Sequence, residues 1–231
     1  CMDRATGKVL WETTACEALP HQGHHPDHGF ASFSPVTDGK YVWAYFGPQG
    51  MFCFDFDGKL VWKKEMPKMK TMFGEASSPI LAGDAVVVVA DNDTESWIYA
   101  FNKTTGDILW KTKRDEKASY ATPIAASVDG KEQIITGASR VRGYDAKTGA
   151  MIWETGTAVT NGIPTPIAAL DTVYCASGGR GTGMLQAIKL YNEAPADPNA
   201  VIWQTKDVVP HVASALLYGQ RIYVFSVTPP R

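Results

Sequence analysis

Ala100-Phe101-Asn102-Lys103-Thr104-Thr105-Gly106-Asp107-Ile108-Leu109-Trp110 is the stretch whose reading decides the fold. It reads as a strand, a tight Thr-Gly turn and a second strand that carries its Trp. Ala100 is small and allows close packing. Asn102, Thr104 and Thr105 can bond their own backbone across the turn. Gly106 supplies the positive φ that other residues resist. Ile108 and Trp110 then alternate onto one face.

The same template recurs along the chain. Cys1-Met2-Asp3 through Thr6-Gly7 to Trp11 fits it, and Gly143-Tyr144-Asp145 through Thr148-Gly149 to Trp153 fits closely. Phe52 to Trp62 fits with a turn one residue shorter, closed by Gly58. A further copy starts at Ala187, replaces the turn with the polar loop Tyr191 to Ala200, and resumes at Val201-Ile202-Trp203. The Trp-to-Trp steps are roughly 40 to 50 residues, the period of a four-stranded propeller blade. A second marker keeps step: Ser34-Pro35, Ser78-Pro79, Thr122-Pro123 and Thr165-Pro166, with Ser214-Ala215 in a fifth place. Proline is tolerated where a strand begins. Each marker is followed by a β-rich run: Tyr41–Phe46, Ala85–Ala90, Gln133–Thr136, Val173–Ser177 and Arg221–Val227.

The expected fold is therefore all-β, a β-propeller of four-stranded antiparallel blades forming one domain over 1–231. Complete blades are expected at about 32–66, 76–113, 121–157 and 164–206. Strands of partial blades are expected in 1–15 and 213–227, as in a fragment of a seven- or eight-bladed ring. Trp11, Trp62, Trp110, Trp153 and Trp203, with Gly7, Gly58, Gly106 and Gly149, are expected to be structural. Trp43 and Trp97 lie outside that register and are expected to be exposed.

Composition narrows the function. A net charge of −2 implies no bulk attraction to nucleic acid. No apolar run reaches the roughly 20 residues of a membrane-spanning helix. The 45% apolar content is enough for a packed core. Cys1, Cys16, Cys53 and Cys175 are scattered without ligand spacing; Cys53 and Cys175 fall in strand-like runs and read as small buried hydrophobes. Nothing favours a Cys1–Cys16 bridge.

In a propeller the short third-to-fourth-strand turns share one face with the first-to-second turns. The second-to-third loops and the connections between blades share the other, and variation gathers there. That second set holds His21, His24, His25 and His28, four of the five histidines. Imidazoles in such a tract offer metal ligands; the rival reading is a polar loop hydrogen-bonded to neighbouring blades, and no metal site is assigned. Asp91 to Glu95 offers oxygen ligands but lacks an EF-hand's Gly and distant Glu, so it reads as a solvated loop. Gly178 to Gly183, around Arg180, could cradle an anion, but it opens no helix and reads as a hairpin loop. Lys63, Lys64, Lys68 and Lys70, then Lys111, Lys113, Arg114 and Lys117, read as a solvated face. No nucleophile–base–acid motif and no H-E-x-x-H is present.

The repeat A-x-[DN]-x-x-T-G-x-x-x-W, best matched at Ala100–Trp110 and Gly143–Trp153, resembles the tryptophan-docking repeat of PQQ-like propellers. That group includes quinoprotein alcohol dehydrogenases and BamB-like proteins of the bacterial envelope. The resemblance implies a non-catalytic scaffold that binds protein or peptide partners, located in the periplasm, envelope or outside the cell. Its alternative implication is a PQQ-dependent oxidoreductase. Quinoprotein dehydrogenases hold PQQ beside a vicinal disulfide and a Ca²⁺ bound by Glu, Asn and Asp. This sequence has no adjacent cysteines and no residue-by-residue match to that ligand set. No cofactor is therefore assigned, and PQQ with Ca²⁺ belongs only to the alternative.

Overall fold

Each repeat folds as a four-stranded antiparallel meander. The computed structural model describes residues 1–20, 23–155, 162–177, 183–192 and 200–225. The first sheet is β1 (Val36–Thr37), β2 (Tyr41–Tyr45), β3 (Met51–Asp55) and β4 (Leu60–Lys64). The second is β5 (Ile80–Ala82), β6 (Ala85–Ala90), β7 (Ser96–Asn102) and β8 (Ile108–Arg114). The third is β9 (Ile124–Val128), β10 (Lys131–Gly137), β11 (Val141–Asp145) and β12 (Met151–Thr155). The fourth is β13 (Ile167–Ala169), β14 (Thr172–Ser177), β15 (Met184–Lys189) and β16 (Val201–Thr205). β17 (Leu216–Tyr218) pairs with β18 (Arg221–Tyr223), and an isolated bridge joins Met2 to Val9. Strand order within every four-stranded sheet follows the sequence.

The sheets meet through their first strands, β1 beside β5, β5 beside β9 and β9 beside β13. First strands thus form the inner ring and fourth strands the outer rim, as in a propeller. The chain has the expected blade architecture. Markers at the head of the first strands bond blade to blade: the Ser34 N–H donates to Ser78 Oγ (2.9 Å) and the Ser78 N–H to Thr122 Oγ1 (3.1 Å). The Thr165 N–H donates to Ser214 Oγ (3.0 Å). These hydroxyls explain why Ser or Thr stands before each Pro.

Cores lie between blades. Val86 and Val88 of β6 pack with Trp43, Tyr45, Trp62 and Phe101 between the first and second sheets. Val87 and Val89 pack with Trp110, Ile134 and Tyr144 between the second and third. Ile135 joins Trp153, Val173, Cys175 and Ile188 between the third and fourth. Period-2 geometry sends adjacent residues to opposite faces, and both faces are covered. That is why β6 reads Ala-Val-Val-Val-Val-Ala without polar alternation.

The turn chemistry follows the expectation. Asn102 Oδ1 accepts the Thr104 and Thr105 N–H groups (2.9 and 3.0 Å), and the Gly106 N–H donates to the Asn102 carbonyl (2.8 Å). Asp3 and Asp145 bind their turns in the same way. Three turns receive the Trp of the preceding repeat. Trp11 Nε1 donates to the Phe56 carbonyl (2.8 Å), Trp62 Nε1 to Lys103 (3.0 Å) and Trp110 Nε1 to Ala146 (3.0 Å). Their rings lie over Gly58, Gly106 and Gly149, where any Cβ would fall within 2.7 Å of the indole. Gly7 faces open space. Trp153 instead donates to Gln133 Oε1 (2.8 Å), and Trp203 lies 41% exposed beside Tyr174.

Trp43 is fully buried, not exposed. It points from β2 into the first interblade core, and its Nε1 donates to the same Lys103 carbonyl that Trp62 uses (3.0 Å). Trp97 is half-buried on the outer part of the second sheet, with Lys111 Nζ 4.9 Å and Lys113 Nζ 5.9 Å from its ring centroid. Cys53 and Cys175 are buried thiols, and burial pushes each up to about 12; Cys1 and Cys16 are free and exposed.

Candidate functional site

The loops opposite the Thr-Gly turns form one joined layer. The Asp93 N–H, between β6 and β7, donates to the Lys70 carbonyl in the preceding interblade connection (2.8 Å). The His25 N–H donates to the Phe73 carbonyl (3.1 Å), and the Phe73 ring packs on Tyr120 at 5.9 Å. Tyr120 and Ala121 donate their N–H groups to the Gly162 carbonyl (2.8 and 3.0 Å). Connections from successive blades thus hold one another.

Beneath this layer lies a buried ionic network between the second and third sheets. Arg114, at the end of β8, donates from Nε to Asp91 Oδ1 (2.7 Å) and from Nη2 to Asp91 Oδ2 (3.0 Å). Both side chains are fully buried. Ser119 Oγ also donates to Asp91 (2.6 Å), and Arg114 Nη1 reaches Thr136 Oγ1 and Tyr144 Oη (3.0 and 2.6 Å). Burial alone would lower the Arg114 pKa; the adjacent Asp91 carboxylate more than offsets it and holds the guanidinium charged. Arg142 on β11, 1% exposed, binds Glu154, Glu116 and Asp115, each at 2.6 Å. Glu116 in turn accepts Ser139 Oγ (2.6 Å).

This network corrects two sequence readings. Asp91 and Asn92 are buried rather than solvated, and Arg114 does not belong to the exposed lysine face. The period-2 signal was present, since Trp110, Thr112 and Arg114 share the inward face of β8. Lys63, Lys68, Lys70, Lys111, Lys113 and Lys117 are exposed as expected.

Of the histidine tract, His24, His25 and His28 lie among the described residues; His21 lies outside them, as does Arg180 with most of its glycine loop. The described histidines bond within the loop layer. His24 Nδ1 lies 2.6 Å from the His25 carbonyl, and His25 Nδ1 accepts the Asp27 N–H (3.1 Å). His28 pairs with Ser32 Oγ (2.9 Å) and with the Glu75 carbonyl (3.3 Å). Among the described residues, no group of three His, Cys, Asp or Glu side chains is placed to hold a metal ion.

One cavity of about 130 Å³ opens in this layer, between the histidine segment and the head of the second blade. Phe30, Phe33, Phe46, Gln49 and Glu75 line it. Burial pushes the Glu75 carboxyl up to about 7. Sequence reading passed over Glu75, whose only signal is its place just before the Ser77-Ser78-Pro79 marker at the inner ring.

A family model described as outer membrane protein assembly factor BamB matches residues 1–228. The chain belongs to this family. The family's PQQ-like repeats are the tryptophan-docked blades described above. The crystal structure of BamB from Moraxella catarrhalis aligns with a TM-score of 0.59 and 17% identity, over 80% of this chain and 55% of that one. The chain thus spans about half the length of that BamB structure. A europium-containing methanol dehydrogenase aligns with a TM-score of 0.44 and 17% identity, over 59% of this chain and 25% of that one, too slight to bear on function. No curated protein matches the chain.

The four cysteines are free and none adjoins another, so no vicinal disulfide can form. The buried carboxylates Asp91 and Glu116 are taken by arginines instead of facing a cation site.

Proposed function

We propose that the chain is part of a non-catalytic propeller that binds protein or peptide partners in the bacterial cell envelope. Membership of the BamB family is the observation that carries this reading. Partners belonging to the outer-membrane assembly machinery are the class the family's description suggests. The contrast between faces supports a location for binding. The turns at Gly58, Gly106 and Gly149 repeat one structure, each committed to a docked Trp, whereas the opposite loops differ from blade to blade and are braced between the second and third sheets by buried ion pairs. A rigid scaffold with variable loops favours recognition, because less ordering entropy is lost on binding.

Affinity retention tests the reading. The immobilised chain is expected to retain outer-membrane assembly proteins from envelope extracts. Met72→Asp with Lys117→Glu, both exposed on the loop face, should reduce retention at least about tenfold, as disrupted interface centres do. Lys147→Glu on the turn face should leave it unchanged. Absence of retention, or loss only with Lys147→Glu, would overturn the proposal.

A further inference from the structure

The loop layer carries a row of side chains that the interblade cores do not use. From Met66 to Gly74 the connection after the first blade holds Lys68 and Lys70 and no acidic residue. Burial alternates along its second half. Met69 and Thr71 are buried, whereas Lys70 and Met72 are exposed, Met72 at 72%. Lys68 is exposed as well. Lys117, exposed between the buried Glu116 and Ala118, stands on the next connection. Asp93 ties the two connections together. Its N–H donates to the Lys70 carbonyl (2.8 Å), and its Oδ1 accepts the Ala118 N–H (3.4 Å).

The row is held from beneath. Met66 and Met69 are set in the core between the first and second sheets. Thr71 Oγ1 donates to the Gly74 carbonyl (2.7 Å), and the Phe73 ring packs on His25 at 5.6 Å and on Tyr120 at 5.9 Å. Little ordering is left for a partner to impose. The cations of the row are also unmatched. Glu95 is taken by Lys113 Nζ (2.7 Å) and Asp115 by Arg142 (2.6 Å). Lys68, Lys70 and Lys117 enter no ion pair among the described residues. An exposed thioether flanked by unpaired ammonium groups is complementary to an apolar side chain flanked by carboxylates.

We infer that this row takes an extended acidic segment of a partner polypeptide, with carboxylates on Lys68, Lys70 and Lys117 and one large apolar side chain on Met72. This gives a chemistry to the partner of the loop face and rests on the binding role proposed above. Lys68, Lys70 and Met72 stand two residues apart in turn. An extended segment presents every second side chain to one side, so two acids and an apolar residue at alternate positions match the row. The unbranched thioether of Met72 adapts to apolar groups of different shape. An anionic lipid surface fits less well, because the exposed Asp93 lies beside Lys70 and Lys117 and would face it. A peptide turns a backbone N–H to such a carboxylate instead.

The test is a calorimetric titration of the chain with the blocked peptide acetyl-Asp-Ser-Asp-Ser-Phe-amide. Its counterparts carry Asn for both Asp residues, or Ala for Phe. At low salt the acidic peptide should bind at least about fivefold tighter than the Asn peptide, since exposed ion pairs add modestly and more than one forms. The preference should shrink as salt rises from about 10 mM to about 150 mM, where the screening length falls from about 30 Å to about 8 Å. Lys70→Glu with Lys117→Glu should reverse it, so that the Asn peptide binds tighter, an outcome that misfolding cannot produce. Met72→Ala should bring the Phe peptide to the affinity of the Ala peptide and leave the urea midpoint unchanged. Equal affinity for the Asp and Asn peptides, or a preference that survives the double charge reversal, would overturn the inference. Binding of phosphatidylglycerol vesicles without discrimination between the peptides would overturn it in favour of a lipid surface. Retention of envelope proteins with both peptides bound alike would defeat the acidic-segment chemistry alone, whereas peptide discrimination without retention would defeat the envelope-partner proposal alone.

Discussion

Asp91 and Arg114 show how much of this molecule is decided by single contacts. Both are fully buried, and neither charge has water to solvate it. Removing one partner leaves an uncompensated buried charge, which costs about 3–5 kcal/mol, whereas replacing both with apolar groups is often close to neutral. Asp91→Ala alone should therefore shift the urea midpoint markedly, and Asp91→Ala with Arg114→Met should recover most of the loss. Equal midpoints for the single and double variants would show that the lone buried charge is not the source of the loss. The same pair marks the limit of sequence reading at this scale. Asp91 follows a strand and sits among Asn, Asp and Glu, which is the composition of an exposed loop. Only the packing of the third sheet over β8, with Thr136 and Tyr144 meeting Arg114, makes that loop interior. Glu75 was hidden for the same reason, since its environment comes from Gly47, Phe33 and the histidine loop rather than from its sequence neighbours.

The third-to-fourth-strand hairpin is the element most fully written in the sequence. Its small strand residue lies opposite the Trp in register: Cys53 with Trp62, Ala100 with Trp110, Gly143 with Trp153 and Ala187 with Trp203. A register shift follows that pair in each of the four sheets. Such bulges bend the strand locally, and here they coincide with the start of the turn on which the preceding Trp docks. Gly106 and Gly130 separate the two demands on a turn glycine. Both have positive φ, +73° and +77°, but a Cβ at Gly106 would strike the Trp62 ring at 2.7 Å while one at Gly130 meets nothing. Gly130→Ala should cost about 1 kcal/mol from backbone conformation alone. Gly106→Ala should cost about 2–4 kcal/mol, because a tightly packed ring must also move. Denaturant unfolding with Trp fluorescence measures both, and equal losses would show that docking adds nothing. The exception is also legible: where the loop from Tyr191 replaces the Thr-Gly turn, Trp153 turns to Gln133 instead.

At the scale of the whole molecule, the period of about 40 to 50 residues identified blades because each repeat can bury its faces only against neighbours. The doubly apolar β6 and the Ser/Thr-Pro markers make sense only in that arrangement, with cores on both sides and hydroxyls linking the inner ring. The same periodicity left the loop face unread, since repeats report what is common and that face is where the blades differ. Trp43 illustrates the point in reverse, because its burial comes from the next blade's Lys103 carbonyl and not from its own repeat register. On the proposed function, partners meet the loop face and not the turn face. Site-specific photo-crosslinking in the envelope tests it most directly, with the photoreactive residue at Met72, Asp93 or Lys117 on the loop face and at Phe56, Thr105 or Lys147 on the turn face, all exposed positions. Adducts to one common partner are expected from the first set and none from the second. Adducts from the turn set, or from neither set, would contradict it.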